Sequence, residues 1–454
     1  MTVSTPVNAE IISHILTAIK SSSHIEPALF TKFNVKRGLR NSDHSGVLVG
    51  LTNIGEVIGY IKNDKTIEPV EGQLLYRGID IKDLVQGSQK NQRHGFDEVI
   101  FLLLTGQLPA GGELNAFENY IAANREIPAD IVNNFILSLS GRDIMNMLSR
   151  TILGLYTLDN DADDLSQQNQ IRQSLELIAK FPTIIAYAYF GMRHKYYHES
   201  LIIRHPRYDL SSAENFIYML KGEDYTPLEA ELLDLALILH AEHGGGNNST
   251  FTIRVTSSSG TDTYSAVAAA LAALKGSLHG GANLKALDMV EHIKKQVKDW
   301  DNDTELSDYL LKILQKQVYD KSGKIYGLGH AIYTKSDPRA VLLKERASQL
   351  AQEKGLEAEF RLYKNIERLG PQVFAEFKGI KAKTLCANVD FYSGFVYTAI
   401  QIPREIYTPL FAMARIAGWC AHRMEELNFE AKRIIRPAYK NIFGHKNYVP
   451  IEQR

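Results

Sequence analysis

The chain has 454 residues, 44% hydrophobic and 23% charged, with a formal net charge of -1. That length predicts two or three structural domains, and the near-zero charge excludes a basic field drawn to nucleic acid or anionic lipid. Two cysteines, Cys386 and Cys420, form no CxxC pair and no disulfide framework, which points to a reducing compartment and a cytoplasmic protein.

Residues 1–30 read as a lead-in with a short docking helix, amphipathic over 9–20 and ended by Ser21-Ser22-Ser23. Glu10 and His14 interrupt any signal-peptide core, and no arginine precedes Arg37, as a transit peptide would need. The most apolar run, 267–274, falls far short of the roughly 20 residues that span a bilayer, so a soluble protein with no membrane partner is expected. Val47, Val49 and Leu51 alternate, Asn53-Ile54-Gly55 offers a turn, and Val57, Ile58 and Ile61 follow, which predicts a small hairpin. A further extended piece covers 73–79. Helical spacing then recurs over 94–104, 110–124, 129–139, 143–158, 166–197, 215–220, 227–240, 264–274 and 284–297. Residues 301–305 and 312–324 read as a solvated, charged stretch. Asp337-Pro338 opens a helix that ends at Gly355, 357–369 and 371–380 are shorter ones, and 407–427 is the last long one. The fold class is mostly α with minor β near the N-terminus.

Glycine-bound stretches carry the residues suited to chemistry. In Leu239-His240-Ala241-Glu242-His243-Gly244-Gly245-Gly246-Asn247-Asn248-Ser249-Thr250, two histidines stand three apart at a helix end. His240-Ala241-Glu242 matches an H-x-E zinc pattern, but no P-C-x-x-C follows; the other reading is a helix end where histidine meets the dipole. Neither glycine run has the GK[ST] of a P-loop. Lys275-Gly276-Ser277-Leu278-His279-Gly280-Gly281-Ala282-Asn283 is either a structural turn or an elbow that holds an imidazole by its backbone. Ile325-Tyr326-Gly327-Leu328-Gly329-His330 repeats the arrangement. Arg339 falls in the first turn of the helix begun by Pro338, against the macrodipole, so it is either solvated or close to an anion. Asp390, between Val389 and Phe391, reads as a partly desolvated base or as a helix N-cap. Arg415, in the apolar run 411–415, needs a buried anionic partner or an exit to solvent, and Arg436 also lacks an obvious partner. Together these groups suit a substrate with two carboxylates and a carbonyl, and removal of a carbon-bound proton.

In order and spacing, HGGGNNST at 243–250, GSLHGGAN at 276–283, GLGHAIYTKSDPR at 327–339, NVDFYSG at 388–394 and FAMAR at 411–415 resemble the citrate synthase family. LLYRGIDI at 74–81 and DEVIFLLLTGQLP at 97–109 agree, so the similarity covers most of the chain from about Arg37. The resemblance implies a two-domain helical fold: a large domain over 1–280 and 406–454, and a small domain over 281–405 that closes over the substrates. It implies condensation of acetyl-CoA with oxaloacetate and hydrolysis of citryl-CoA to citrate and CoA, at the entry to the tricarboxylic acid cycle. Asp390 would take the methyl proton, His279 would stabilise the enolate oxygen, and His330 would polarise the oxaloacetate carbonyl. His243, Arg339, Phe411, Arg415 and Arg436 would hold oxaloacetate, with Arg436 coming from the second subunit of a homodimer. Leu278, Gly327 and Asn388 would meet CoA. Acetyl-CoA enters as a substrate, and the resemblance calls for neither a metal nor a cofactor. Thr334, with Lys335 beside it, stands where many members carry a basic residue for the CoA phosphates, and 141–148 lacks the His-Pro-Met of many relatives. The nearest alternative is a 2-methylcitrate synthase acting on propionyl-CoA, because one methylene is worth only about 1–3 kcal/mol to a pocket. A metal-dependent hydrolase built on His240, Glu242 and His243 is the alternative from another class.

Overall fold

A computed structural model describes residues 9–43, 45–62, 67–379 and 385–454. Chain packing divides it into two units, Met1–Leu51 and Thr52–Arg454. The first holds helices α1 (Ala9–Ser22) and α2 (Pro27–Lys32). The α1 helix ends in the serine run that marked its end in the sequence, and its apolar face, with Ile11, Ile15 and Ile19, is exposed. The alternation of Val47, Val49 and Leu51 does not become a strand; Leu48 and Leu51 are 85% and 79% exposed. Alternation makes a strand only where a partner edge is available.

In the second unit, β1 (Gly55–Lys62), β2 (Ile67–Tyr76) and β3 (Ile79–Asp80) form an antiparallel sheet in that order. Gly55, expected in the turn, instead opens β1 and pairs with Tyr76, and Val57 pairs with Leu74. This register puts Leu74 and Tyr76 in the core, both fully buried.

The helices follow as α3 (Ile81–Lys90), α4 (Phe96–Thr105), α5 (Gly111–Ala123), α6 (Ala129–Ile131, continued by a π-helix over Val132–Leu137), α7 (Ile144–Tyr156) and α8 (Gln167–Tyr197). Next come α9 (Ser212–Lys221), α10 (Pro227–His240), α11 (Asn248–Ser257), α12 (Thr263–Lys275) and α13 (Ala282–Gln296). The last are α14 (Asp303–Leu314), α15 (Pro338–Lys354), α16 (Glu357–Lys378), α17 (Val389–Ala399) and α18 (Tyr407–Leu427). Helices α13 to α17 pack on one another, and α18 packs against α4, α8, α10, α11 and α12.

Three departures from the sequence expectation have local causes. The stretch expected to be solvated contains α14: Asn302 accepts the Thr304 and Glu305 N–H groups at 3.1 Å each, and Leu306, Leu310, Ile313 and Leu314 are buried on one face. The charges had masked a helical period. The two short helices expected at 357–369 and 371–380 are one helix running through Pro371; Ile380 lies outside the described residues. Buried Phe360, Tyr363, Ile366, Leu369 and Val373 keep its packed face continuous, outweighing the ~3 kcal/mol that an internal proline costs. The third is α11, which restarts directly after the glycine run because Asn247 accepts the Ser249 N–H at 3.2 Å.

Two buried helices bring the site together. The start of α10 is set by Pro227 and by a reciprocal cap, in which Thr226 accepts the Glu229 N–H at 3.3 Å and Glu229 accepts the Thr226 N–H at 3.2 Å. At its far end Gly418 of α18 meets Ala241 and Glu242, and a β-carbon there would come within 2.5 Å of the Ala241 carbonyl oxygen. Among the described residues no helix is long and apolar enough to cross a membrane. Gly418→Ala is expected to destabilise the fold by about 1–3 kcal/mol through overpacking, read as a lower thermal unfolding midpoint.

Candidate active site

The end of α10 supplies three side chains, and they go to three different partners. The His240 Nε2 lies 2.8 Å from the Tyr397 hydroxyl, and its ring stacks on Phe411 with centroids 3.6 Å apart. Glu242 accepts from the Gly244 N–H and from His422 Nε2, the latter at 3.0 Å. His243 Nε2 faces His330 Nε2 at 3.1 Å. The H-x-E spacing therefore does not become a shared ligand set, and among the described residues no three metal-ligating side chains converge.

His330 and Asp390 are held by one short ladder. Leu328 bridges Ala387, the Gly329 N–H donates to the Cys386 carbonyl at 2.7 Å, and the Asn388 N–H donates to the Gly327 carbonyl at 2.9 Å. Asn388 also donates from Nδ2 to the Gly329 carbonyl at 2.9 Å. The ladder requires Gly327, whose φ is +82° and whose absent β-carbon would lie 2.6 Å from Phe391 Cδ2. The N-cap of α17 is Asn388, which accepts the Asp390 N–H at 3.0 Å, so the capping alternative for Asp390 passes to its neighbour. On His330, Nδ1 accepts the Ile332 and Tyr333 N–H groups at 3.1 and 3.2 Å, which leaves the ring proton on Nε2 and makes that atom the donor to His243. The proton of His243 is then on Nδ1, a buried atom with no partner among the described residues.

His279 follows α12 on a turn closed by its own N–H to the Gly276 carbonyl at 2.8 Å, and Thr408 holds the next residue by donating to the Gly280 carbonyl at 3.0 Å. Its Nε2 is 3.2 Å from Ser249 Oγ, which also accepts the Trp419 indole N–H at 3.2 Å. Burial, helped by the nearby Arg415 cation, pushes the imidazole down to about 4, so it is neutral at pH 7. Its neighbour Leu278 is 94% exposed.

Arg339 and Arg415 are each 2% exposed. The anion expected near Arg339 is Asp337, paired at 3.0 Å to Nε and 2.8 Å to Nη2; burial works to lower this guanidinium, and Asp337 outweighs it. Arg415 donates from Nε to the His240 carbonyl at 2.8 Å and has no ion-pair partner among the described residues. Burial pushes it down to about 10, opposed by Glu242. Burial pushes Asp390, half-buried by surface area, up to about 6, while Arg339 and Arg415 pull it down and Asp337 pushes it up. His240 and His243 are depressed well below the usual histidine range by burial and by the same two arginines. Arg339 thus has a directly paired counter-ion, while Arg415 has none among the described residues and is the buried cation open to a small anion. Phe411 lies between the His240 ring and the Arg415 guanidinium, whose carbon is 5.7 Å from the Phe411 ring centre. Arg436 is not brought to this cluster; it is exposed on the irregular segment after α18.

Ser249, Trp419, His422 and Asp337 were not singled out by sequence. Ser249 lies inside the HGGGNNST run, but nothing in a one-dimensional pattern says which turn a hydroxyl will face.

The family profile described as "Citrate synthase, C-terminal domain" matches residues 43–438. The chain belongs to the citrate synthase family. The citrate synthase of Haloferax volcanii is 34% identical over 92% of the chain and 99% of its own length. A 2-methylcitrate synthase of Shewanella oneidensis is 32% identical over 84% of the chain and 92% of its length. Among solved structures, citrate synthase from Pyrobaculum aerophilum superposes with a TM-score of 0.73 at 32% identity, covering 91% of this chain and 95% of that one. The Thermoplasma acidophilum enzyme, a ternary complex with carboxymethyl coenzyme A and oxaloacetate, superposes at 0.74 with 26% identity, over 92% and 99%. The mostly α fold expected from the sequence is that of these relatives.

Because Asp390 is raised from 3.8 to about 6, its ionised form costs the fold about 3 kcal/mol, absent below the unfolded value and fully present above about 6. Asp390→Asn is therefore expected to raise the thermal midpoint at pH 7.5 and to leave it nearly unchanged at pH 3.5, where the native carboxyl is also neutral; calorimetry at both pH values checks this.

Proposed function

We propose that the chain condenses acetyl-CoA with oxaloacetate and hydrolyses the resulting citryl-CoA to citrate and CoA. The observation that carries this reading is the pairing of a neutral, backbone-held His279 with a carboxylate, Asp390, raised to about 6, both beside buried Arg415. A thioester α-proton is too weakly acidic for a carboxylate in water, so the developing enolate needs a preorganised donor, worth about 2.7–4 kcal/mol in comparable oxyanion sites. His279 fits that need from the ring nitrogen not engaged with Ser249, while Asp390 takes the proton. The methyl carbon then attacks the oxaloacetate carbonyl carbon, the alkoxide oxygen is met by the Nε2–H of His330, and His243, no longer accepting from His330, donates to oxaloacetate once its proton moves from Nδ1 to Nε2. Arg339 and Arg415 take the two carboxylates. Water then cleaves the thioester.

Closure of 281–405 over the substrates would exclude water until the carbon–carbon bond has formed. The mutual packing of α13 to α17 supports movement as one body. Leu278, Gly327 and Asn388 are proposed to meet CoA. Arg436, exposed on the C-terminal segment, is proposed to serve the site of a second copy in a homodimer. No step calls for a metal or a resident cofactor. Two buried, unpaired cysteines fit a reducing cytoplasm.

Oxaloacetate-dependent thiol release from acetyl-CoA is the expected activity, with slower release from propionyl-CoA; the reverse preference would make the chain a 2-methylcitrate synthase. Turnover should rise with pH through about 6 as Asp390 ionises, and Asp390→Asn should lose about two to four orders of magnitude; near-normal turnover would remove Asp390 as the base. Mixing inactive Asp390→Asn and Arg436→Ala chains should restore part of the activity if a site takes Arg436 from its partner. No recovery in mixed dimers would end that assignment.

A further inference from the structure

Asp337 lies outside the groups assigned to catalysis, yet its fully buried carboxylate is divided between two parts of the site. Oδ1 accepts the Arg339 N–H at 3.1 Å and its Nε–H at 3.0 Å. Oδ2 accepts Arg339 Nη2–H at 2.8 Å and, from 52 residues further along the chain, the Val389 N–H at 3.3 Å. Val389 is the first residue of α17, and Asp390 is the second. We infer that Asp337 is a positioning residue that ties the substrate-binding guanidinium of Arg339 to the first turn of the helix carrying Asp390. This rests on the assignment of Arg339 to oxaloacetate and Asp390 to proton removal.

The geometry goes beyond a helix cap. An N-cap aspartate needs one oxygen for one backbone N–H, and its second oxygen is free for water. Here both oxygens are used inside the protein. The pair also occupies one edge of the guanidinium, Nε and Nη2, and so turns the Nη1 edge toward an incoming carboxylate. A rotation of Arg339 would pull on Asp337, and through Oδ2 on the turn that aims Asp390. The charged groups acting on Asp390 are Arg339, Asp337 and Arg415, and its own charge acts on Tyr397. Asp337 is the one among them that opposes ionisation of the base, and it also holds the cation that favours it.

Two variants of the full chain separate this role from simple capping. Asp337→Asn keeps the shape and the capping ability of the residue and removes its charge. Oxaloacetate KM is expected to rise roughly tenfold or more, and the acid limb of kcat should move to lower pH, since Asp390 loses a neighbouring anion and faces a freed Arg339. An amide-to-ester exchange at Val389, with the α-hydroxy analogue of valine in its place, removes the N–H donor and keeps the buried isopropyl group. Asn388 still caps α17 through the Asp390 N–H, so the helix start is retained. Here kcat should fall roughly tenfold with oxaloacetate KM within about twofold, because the Arg339 pair is intact. A drop in thermal stability of Asp337→Asn with the acid limb unmoved would overturn the inference, as would a Val389 ester chain that raises KM or keeps full kcat. Should Asp337→Asn not fold, the KM-against-kcat split of the Val389 ester chain still decides. Calorimetric oxaloacetate affinity reads the Arg339 arm without turnover. A wild-type chain that releases no CoA with oxaloacetate would instead remove the underlying activity.

Discussion

Two guanidinium groups buried against one paired carboxylate set the terms for everything around them. Arg339 is neutralised by Asp337, and Arg415 is left with the His240 carbonyl and the more distant Glu242. Their positive charge therefore acts on His240, His243, His279 and Asp390, with opposite results for acid and base. Together with burial it depresses His240, His243 and His279, keeping them as neutral hydrogen-bonding groups. On Asp390 it works against burial, so the carboxylate titrates near 6 and remains ionised at neutral pH. A neutral donor and an ionised base thus follow from a single arrangement of charge.

Such a field is stable only if the backbone around it cannot relax, and the structure meets that need with close packing. The turn after α10 is clamped where Gly418 of α18 meets Ala241 and Glu242. Behind it runs a buried polar chain. Arg254 donates to His422 Nδ1 at 2.8 Å and to Glu425 at 2.7 Å, which leaves the His422 proton on Nε2 for Glu242 at 3.0 Å. Burial works to raise the Glu242 carboxyl, and His422, Arg415 and the Gly244 N–H together hold it low. The loop carrying His330 and the start of α17, which carries Asp390, share a backbone ladder that fixes the two groups relative to each other.

Much of this was legible in the chain itself. Helices announced by periodicity and caps, such as α10 behind Thr226-Pro227 and α18 over Tyr407–Leu427, lie where the pattern put them. The histidines on glycine turns and the arginines stood out as candidates, with a structural turn or a solvated side chain still open for each until the family's motifs were read together. Where the reading departed, a nonlocal contact decided. Residues 47–51 did not join the sheet, packing carried α16 through Pro371, and a buried stripe made a helix of the charged stretch at α14.

The sequence by itself determined the fold class and the family, and it named His243, His279, His330, Arg339, Asp390 and Arg415 as candidates, since each is carried by a short motif. Only the tertiary structure decided what those groups are: which histidine nitrogens hold protons, which arginine has a counter-ion, and that Asn388 rather than Asp390 caps α17. Protonation and pairing depend on burial and on charges tens to hundreds of residues away, as with Asp337 beside Val389 and Trp419 beside Ser249. No local pattern encodes those distances.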